Sequence, residues 1–271
     1  MTNFPNPSLG RRALIRNGGL ALSMGAIIAA CGNGRSGSDD PGRLGVAPPA
    51  PTLPEAVVND AVLLRTAQSL EYTALAVYEQ AAGLDVLNAD ETQLVGRFVS
   101  DHQRHAADLG ALVVRAGGEE YTCPNPFVME RAVGPILAAL DGTDDLHRDV
   151  LNIAYSFEYL AGASYQDLVS LLEDPTLRST AMLIGGEEQR HAAALAMAIN
   201  PDVLISPALF GEPVENDTDG FPVPYAVPST FGQLTGIDVV VGPRDEVEGT
   251  RFAAQLQTPA ANSFVYEYET C

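Results

Sequence analysis

The stretch Gly186-Glu187-Glu188-Gln189-Arg190-His191-Ala192-Ala193-Ala194-Leu195 reads as the interior of a helix that carries chemistry on its apolar face. Alternating steps of four and three pick out Ile184, Glu188, His191, Leu195 and Ala198, the stripe such a helix buries. Glu188 and His191 sit mid-stripe and three residues apart, so they point the same way. An ionised Glu in a core is strongly unfavourable unless something compensates its charge. A metal ion shared with a neutral His is such a partner.

The arrangement occurs a second time, upstream. Phe98, His102, His105, Leu109 and Leu112 repeat the spacing. Asp101-His102-Gln103-Arg104-His105-Ala106-Ala107 aligns with Glu187-Glu188-Gln189-Arg190-His191-Ala192-Ala193, and Gln-Arg-His-Ala-Ala is common to both. Each copy is preceded by a Glu-Tyr pair, Glu71-Tyr72 and Glu158-Tyr159, lying 34 residues before His105 and 33 before His191. A further Tyr follows each Glu by seven residues, at Tyr78 and Tyr165. This is an internal repeat of two helices, and one repeat alone could not bury its inner face.

The order Glu, x-x-x-His, Glu, Glu-x-x-His over four helices resembles the ferritin-like di-iron carboxylate bundles of the ferritin, bacterioferritin and rubrerythrin type. The resemblance covers roughly residues 56–199. It implies an all-α core: a four-helix bundle with a long crossover between the second and third helices. It also implies metal ligands at Glu71, His105, Glu158, Glu188 and His191, with His102 a variant ligand where the family places a bridging Glu. With three Glu and three His, the site carries less negative charge than the family's four Glu and two His. Iron, as a di-iron pair, is the implied cofactor. Zinc, manganese or a mononuclear site remain alternatives, as does a metal-free polar network in which His102 bonds Glu71 or Glu158. Tyr78 and Tyr165 are candidates for hydrogen bonds to the ligand carboxylates, although Tyr on a helix stripe is more often packing. Asp101 is a candidate to support the ligands from beside them, or to stand in for the missing bridging carboxylate. Otherwise Asp101 and Glu187 face solvent or pair with nearby Arg. The fourth His, His147, reads as surface or capping.

The segments between these motifs set the organisation. A first helix is expected over 55–83, with Leu63, Ala67, Leu70, Ala74 and Tyr78 on its stripe and Glu71 beside them. Asp90 with Gln93 is expected to box the start of a second helix, which Gly117-Gly118 ends. The crossover, about 117–144, contains Cys123 and a helical piece over 128–140. The third helix opens near Asp141-Gly142-Thr143-Asp144, and Pro175 fits the first turn of the fourth. Together these make a ferritin-like domain over 55–199. Residues 200–271 lose helical periodicity and gain Pro and Gly. They read as an extended tail with short strands near 236–241 and 263–268.

Residues 1–30 read as a targeting segment. Arg11-Arg12 precede a soft apolar run, the pattern of a twin-arginine (Tat) export signal. The run is short of the about 20 apolar residues that a membrane span needs. It ends Ile28-Ala29-Ala30-Cys31-Gly32, a lipoprotein box that makes Cys31 the lipidated N-terminus. A simple signal peptide is the alternative. Residues 31–54 are a Gly/Ser/Asp/Pro linker, roughly 25 Å end to end as a flexible coil. The chain is therefore expected outside the cytoplasmic membrane, in the cell envelope, held by a lipid anchor. There Cys123 and Cys271 become candidates for a disulfide.

The net charge is −20, and every basic residue is Arg. Loss of 1–30 removes three Arg and no acid, giving −23. Nucleic acid is a poor partner for such a chain. Protein partners are unassigned and the assembly is open, a homodimer included. No nucleophile elbow, phosphate loop or Cys-x-x-Cys is present. Two functions remain. The resemblance implies an exported metal-dependent oxidase or peroxidase. The alternative is a non-catalytic envelope scaffold with a degenerate metal site.

Overall fold

The computed structural model describes residues 57–214, 217, 220–229 and 236–271. The expected signal peptide, the expected lipidation site Cys31 and the expected linker lie outside the described residues. Four long helices form the core: α1 (Asp60–Gly83), α2 (Ala89–Arg115), α3 (Leu146–Leu171) and α4 (Pro175–Ile199). None of the described helices is long and apolar enough to cross a membrane. Each helix starts where a side chain can accept its first free N–H groups. Asn59 accepts from Val62 N, so α1 begins at Asp60 rather than at 55. Asn88, not Asp90, caps α2: it accepts from Asp90 N and Glu91 N, while Glu91 reaches back to Asn88 N. Asp145 and Asp174 cap α3 and α4, with Pro175 at the first position of α4. Gly117, at φ 84°, follows the end of α2 in the left-handed conformation that favours Gly.

The helices pack by repeat, α1 on α2 and α3 on α4, and the pairs join through α1–α3 and α2–α4. This is the expected ferritin-like bundle. Gly185 permits the close approach of α3 and α4, since a Cβ there would fall 2.7 Å from Tyr165 Cβ. The crossover carries helical turns over Pro126–Val128, a π turn over Met129–Val133 and a helical turn over Gly134–Ala138. The stripes bury as their spacing dictates. Phe98, His102, His105 and Leu109 are buried on α2, as are Ile184, Glu188, His191 and Leu195 on α4. Leu112 and Leu70 are half-buried and Ala198 is exposed.

The tail contains one antiparallel hairpin, β1 (Gly236–Val241) with β2 (Phe252–Gln257), registered Gly236 to Gln257. The second strand is thus 252–257, and 263–268 is not a strand. The hairpin puts Val239, Val241 and Leu256 against Val77, Ile136, Ile153, Phe157 and Leu160. The last residues instead run along the polar side of α1. Val265 N donates to Thr66 Oγ1 (2.9 Å), and Asn125 Nδ2 donates to the Ser263 carbonyl (3.0 Å). Phe264 and Tyr266 enter the core cluster of Val62, Leu63 and Leu109. Cys123 and Cys271 are joined, with Cα atoms 5.7 Å apart, closing the tail onto the crossover.

Candidate metal centre

Between two apolar clusters lies one polar layer. Leu63, Leu109, Leu168, Tyr165 and Ile184 close it on one side, and Tyr78, Val95, Phe98, Leu151 and Leu195 on the other. Each helix contributes from mid-length: Glu71 from α1, His102 and His105 from α2, Glu158 from α3, Glu188 and His191 from α4. All six are buried. Helical spacing alone put each of them on the inner face, and the bundle brings them together.

They fall into two sets whose donor atoms lie within 4.8 Å of one another: Glu71, His102, His105 and Glu188, and His102, Glu158, Glu188 and His191. Glu188 and His102 belong to both. Glu188 Oε1 is 2.7 Å from His105 Nδ1, and Glu188 Oε2 is 3.2 Å from His191 Nδ1. His102 faces the two sets with different nitrogens, Nδ1 at 2.7 Å from Glu71 Oε2 and Nε2 at 3.0 Å from Glu158 Oε1.

These contacts differ in kind. Those of His102 are aligned hydrogen bonds. Glu188 is fully buried, yet neither of its oxygens has an aligned hydrogen bond, and nor does His105 Nδ1. Buried polar atoms are rarely left so. Two ligand atoms each about 2.1 Å from one ion and at right angles lie about 3 Å apart, off any hydrogen-bond axis. The Glu188–His105 contact has that form. Carboxylates and imidazoles without thiolate suit first-row divalent ions. The residues present therefore fit a metal.

Burial opposes ionisation of Glu71, but the hydrogen bond from His102 and the nearby His105 ring outweigh it and hold its pKa at about 2. Burial likewise opposes ionisation of Glu158, yet the charge and hydrogen bond of His102 hold its pKa well below the usual range. Glu188 goes the other way. Burial, then the charges of Glu71 and Glu158, push it up to about 7. Burial lowers the pKa of His105 and His191, but close contact with the surrounding Glu carboxylates pushes them up to about 10 and about 9. Burial lowers the pKa of His102 too, but the charge of Glu158 and its hydrogen bond hold it well above the ordinary value. Without metal the layer's positive charge therefore comes from its three His; a divalent ion would take the place of those protons and favour ionised Glu188.

Both Tyr hydroxyls take part, so packing alone does not describe them. Tyr78 donates to Glu158 Oε1 and Tyr165 to Glu71 Oε1, each reaching the carboxylate of the other repeat. Burial, then the charge of the bonded Glu, raises each phenol well above its ordinary pKa and keeps it a donor.

Asp101 does not stand in for a bridging Glu. It lies outside the six, 3.3 Å from His191 Nε2, and is held by Arg97 (2.8 Å, two bonds) and Arg104 (2.7 Å). Glu187 does the same for the other ring, 2.8 Å from His105 Nε2 and 2.6 Å from Arg104. Donating Nε2–H outward leaves Nδ1 of each neutral ring facing the interior, the tautomer a metal needs. The sequence reading counted Asp101 among the residues beside the ligands but missed Glu187, although its matching position in the repeat was the signal. One residue before the buried position lies about 100° round the helix, which aims Asp101 at α4 and Glu187 at α2. His147 lies apart, bonded to Glu91 at 2.8 Å near the start of α2. Asp101→Ala and Glu187→Ala are each expected to weaken metal binding by about 10–100-fold, measured by competition with a chelator. Unchanged affinity in both would remove the orienting role.

A family model described as a ferritin-like domain matches residues 59–201, whereas no curated protein and no solved structure matches the chain. The matched segment spans all four helices and all six inward-facing residues. By its bundle, its crossover and its buried Glu/His layer, this chain belongs to the ferritin-like family.

Proposed function

We propose that this protein is an exported, iron-dependent oxidase or peroxidase, with Glu71, His102, His105, Glu158, Glu188 and His191 as the ligands. The observation that carries the metal reading is Glu188, fully buried amid both donor sets with neither oxygen hydrogen-bonded. Bound iron would supply redox and Lewis-acid chemistry toward oxygen or peroxide. The chain's own work is positional. Tyr165 and Tyr78 orient the Glu71 and Glu158 carboxylates, and Glu187 and Asp101 orient His105 and His191. The apolar clusters on either side keep bulk water from the layer. The twin-arginine segment and Cys31 support export and lipid attachment at the membrane's outer face. The Cys123–Cys271 pairing fits an oxidising compartment.

A second reading rests on the balance of three Glu against three His. Were all six ionised, the layer would be neutral without metal, as a scaffold with a degenerate site would need.

Elemental analysis of protein taken from its host's membrane fraction, beside His191→Ala, separates the two. About two iron atoms per chain, lost in the variant, is the expected result. One zinc or manganese per chain would reject iron and keep a metal site. No stoichiometric metal, with stability unchanged in the variant, would leave the scaffold. Recovery from the cytosol alone would reject export.

A further inference from the structure

His102 stands between the two donor sets, and its geometry assigns it a role the proposed metal site alone does not specify. Its nitrogens lie on opposite sides of one ring. Nδ1 faces Glu71 at 2.7 Å and Nε2 faces Glu158 at 3.0 Å, so each is turned to a different set. Glu188 divides in parallel, Oε1 toward His105 and Oε2 toward His191. The ring is 1% exposed and held on both edges, so it has little freedom to serve one set alone.

We propose that the centre holds two divalent ions joined through the His102 ring, Nδ1 serving the ion of Glu71 and His105 and Nε2 that of Glu158 and His191, with one Glu188 oxygen on each. This rests on the metal-binding reading above. In the metal-free layer both nitrogens donate to carboxylates, so donation to metal from both requires the ring to give up two N–H protons, one passing to solvent as each ion binds. The consequence is dimensional. Metal–nitrogen bonds of about 2.0–2.1 Å on opposite sides of an imidazole put the ions about 6 Å apart. A pair clamped by shared oxygens lies about 3.5–4 Å apart. The pair is thus too widely spaced for one small oxygen ligand to touch both ions, and each ion keeps its own half of the layer.

The test loads the metal-free full-length protein with Zn2+ and counts zinc per chain. It is run for the wild type, His102→Gln and His102→Glu, with X-ray absorption at the zinc edge. Two zinc ions in the wild type, with no zinc–zinc vector at the shorter separation, are expected. His102→Gln should hold one ion or none. His102→Glu should hold two and gain the shorter vector. A short vector in the wild type overturns the proposal even if either variant fails to fold. Two ions of unchanged affinity in a folded His102→Gln also overturn it. One ion in the wild type overturns the shared ligand and leaves the metal site standing. No bound zinc, with no iron found in the protein as isolated, defeats both.

Discussion

Glu188→Gln is expected to remove metal binding at both positions and to reverse the sign of its stability effect with metal. Glu188 is the one carboxylate common to both donor sets, so neither set stays complete without it. An amide keeps the shape but loses the charge and one strong acceptor. Metal at about 1,000 times its Kd adds about 4 kcal/mol per ion to the native state. For a domain of this size that is on the order of 10 °C in Tm, and the variant should lose this increment. Without metal the effect is opposite. In the folded chain the Glu188 pKa is raised from 4.5 to about 7 by burial and by Glu71 and Glu158. A carboxyl whose folded pKa is raised destabilises the fold increasingly as pH climbs from 4.5 through 7, because the unfolded chain ionises first. Replacing it with a neutral amide should therefore stabilise the metal-free protein by about 1–3 kcal/mol at pH 8, with no gain at pH 4. Denaturant unfolding with and without metal, at both pH values, reads both signs. A metal-free variant less stable than the wild type at pH 8 would show that Glu188 is structurally paired rather than held for a cation.

Arg65→Ala is expected to cost about 3–5 kcal/mol and to loosen the C-terminal segment without changing metal content. Arg65 is 2% exposed on α1, away from the polar layer. Its guanidinium donates to the carbonyls of Glu119, Tyr266 and Glu269, the last two at 3.3 and 2.6 Å, and lies over the Tyr121 ring at 5.5 Å. One side chain thus ties α1, the crossover and the tail. Hydrogen bonds to a charged donor contribute about 1.5–3 kcal/mol each, and truncation leaves three acceptors without it. Arg65→Lys should recover only part, because an ammonium cannot reproduce the planar fork. The Cys123–Cys271 bond keeps the tail tethered, so the change should appear as faster amide exchange over residues 263–271 rather than as release. Full stability and slow exchange in Arg65→Ala would refute the assignment.

Neither the tie nor the tail path was visible in the chain. Arg65, Thr66, Ser69 and Thr73 are polar and yet buried, because they bond groups of the crossover and tail, Asn125 and Val265 among them. No periodicity announces that. The strand misplaced at 263–268 has the same cause. Phe264-Val265-Tyr266 is apolar because it plugs the end of the bundle, and it pairs with Thr66 of a helix rather than with another strand. The hairpin partner at 252–257 is less apolar, since its residues are largely exposed and only Leu256 is fully buried there.

The bundle and its six inward-facing Glu and His were legible because helical spacing is local. Four-three steps decide which residues share a face, and a Glu or His on that face must enter the core with its helix. The repeat added that two such pairs face each other. What it could not say is which repeat supplies each partner. Tyr78 bonds Glu158 and Tyr165 bonds Glu71, while Asp101 reaches His191 and Glu187 reaches His105, all exchanged between repeats. The contents of each helix face follow from the sequence by itself, since 3.6 residues complete a turn whatever the neighbours are. The pairing across the layer, and with it the place of His102 between two donor sets, follows only from how the helix pairs dock, because those distances depend on packing between segments far apart in the chain.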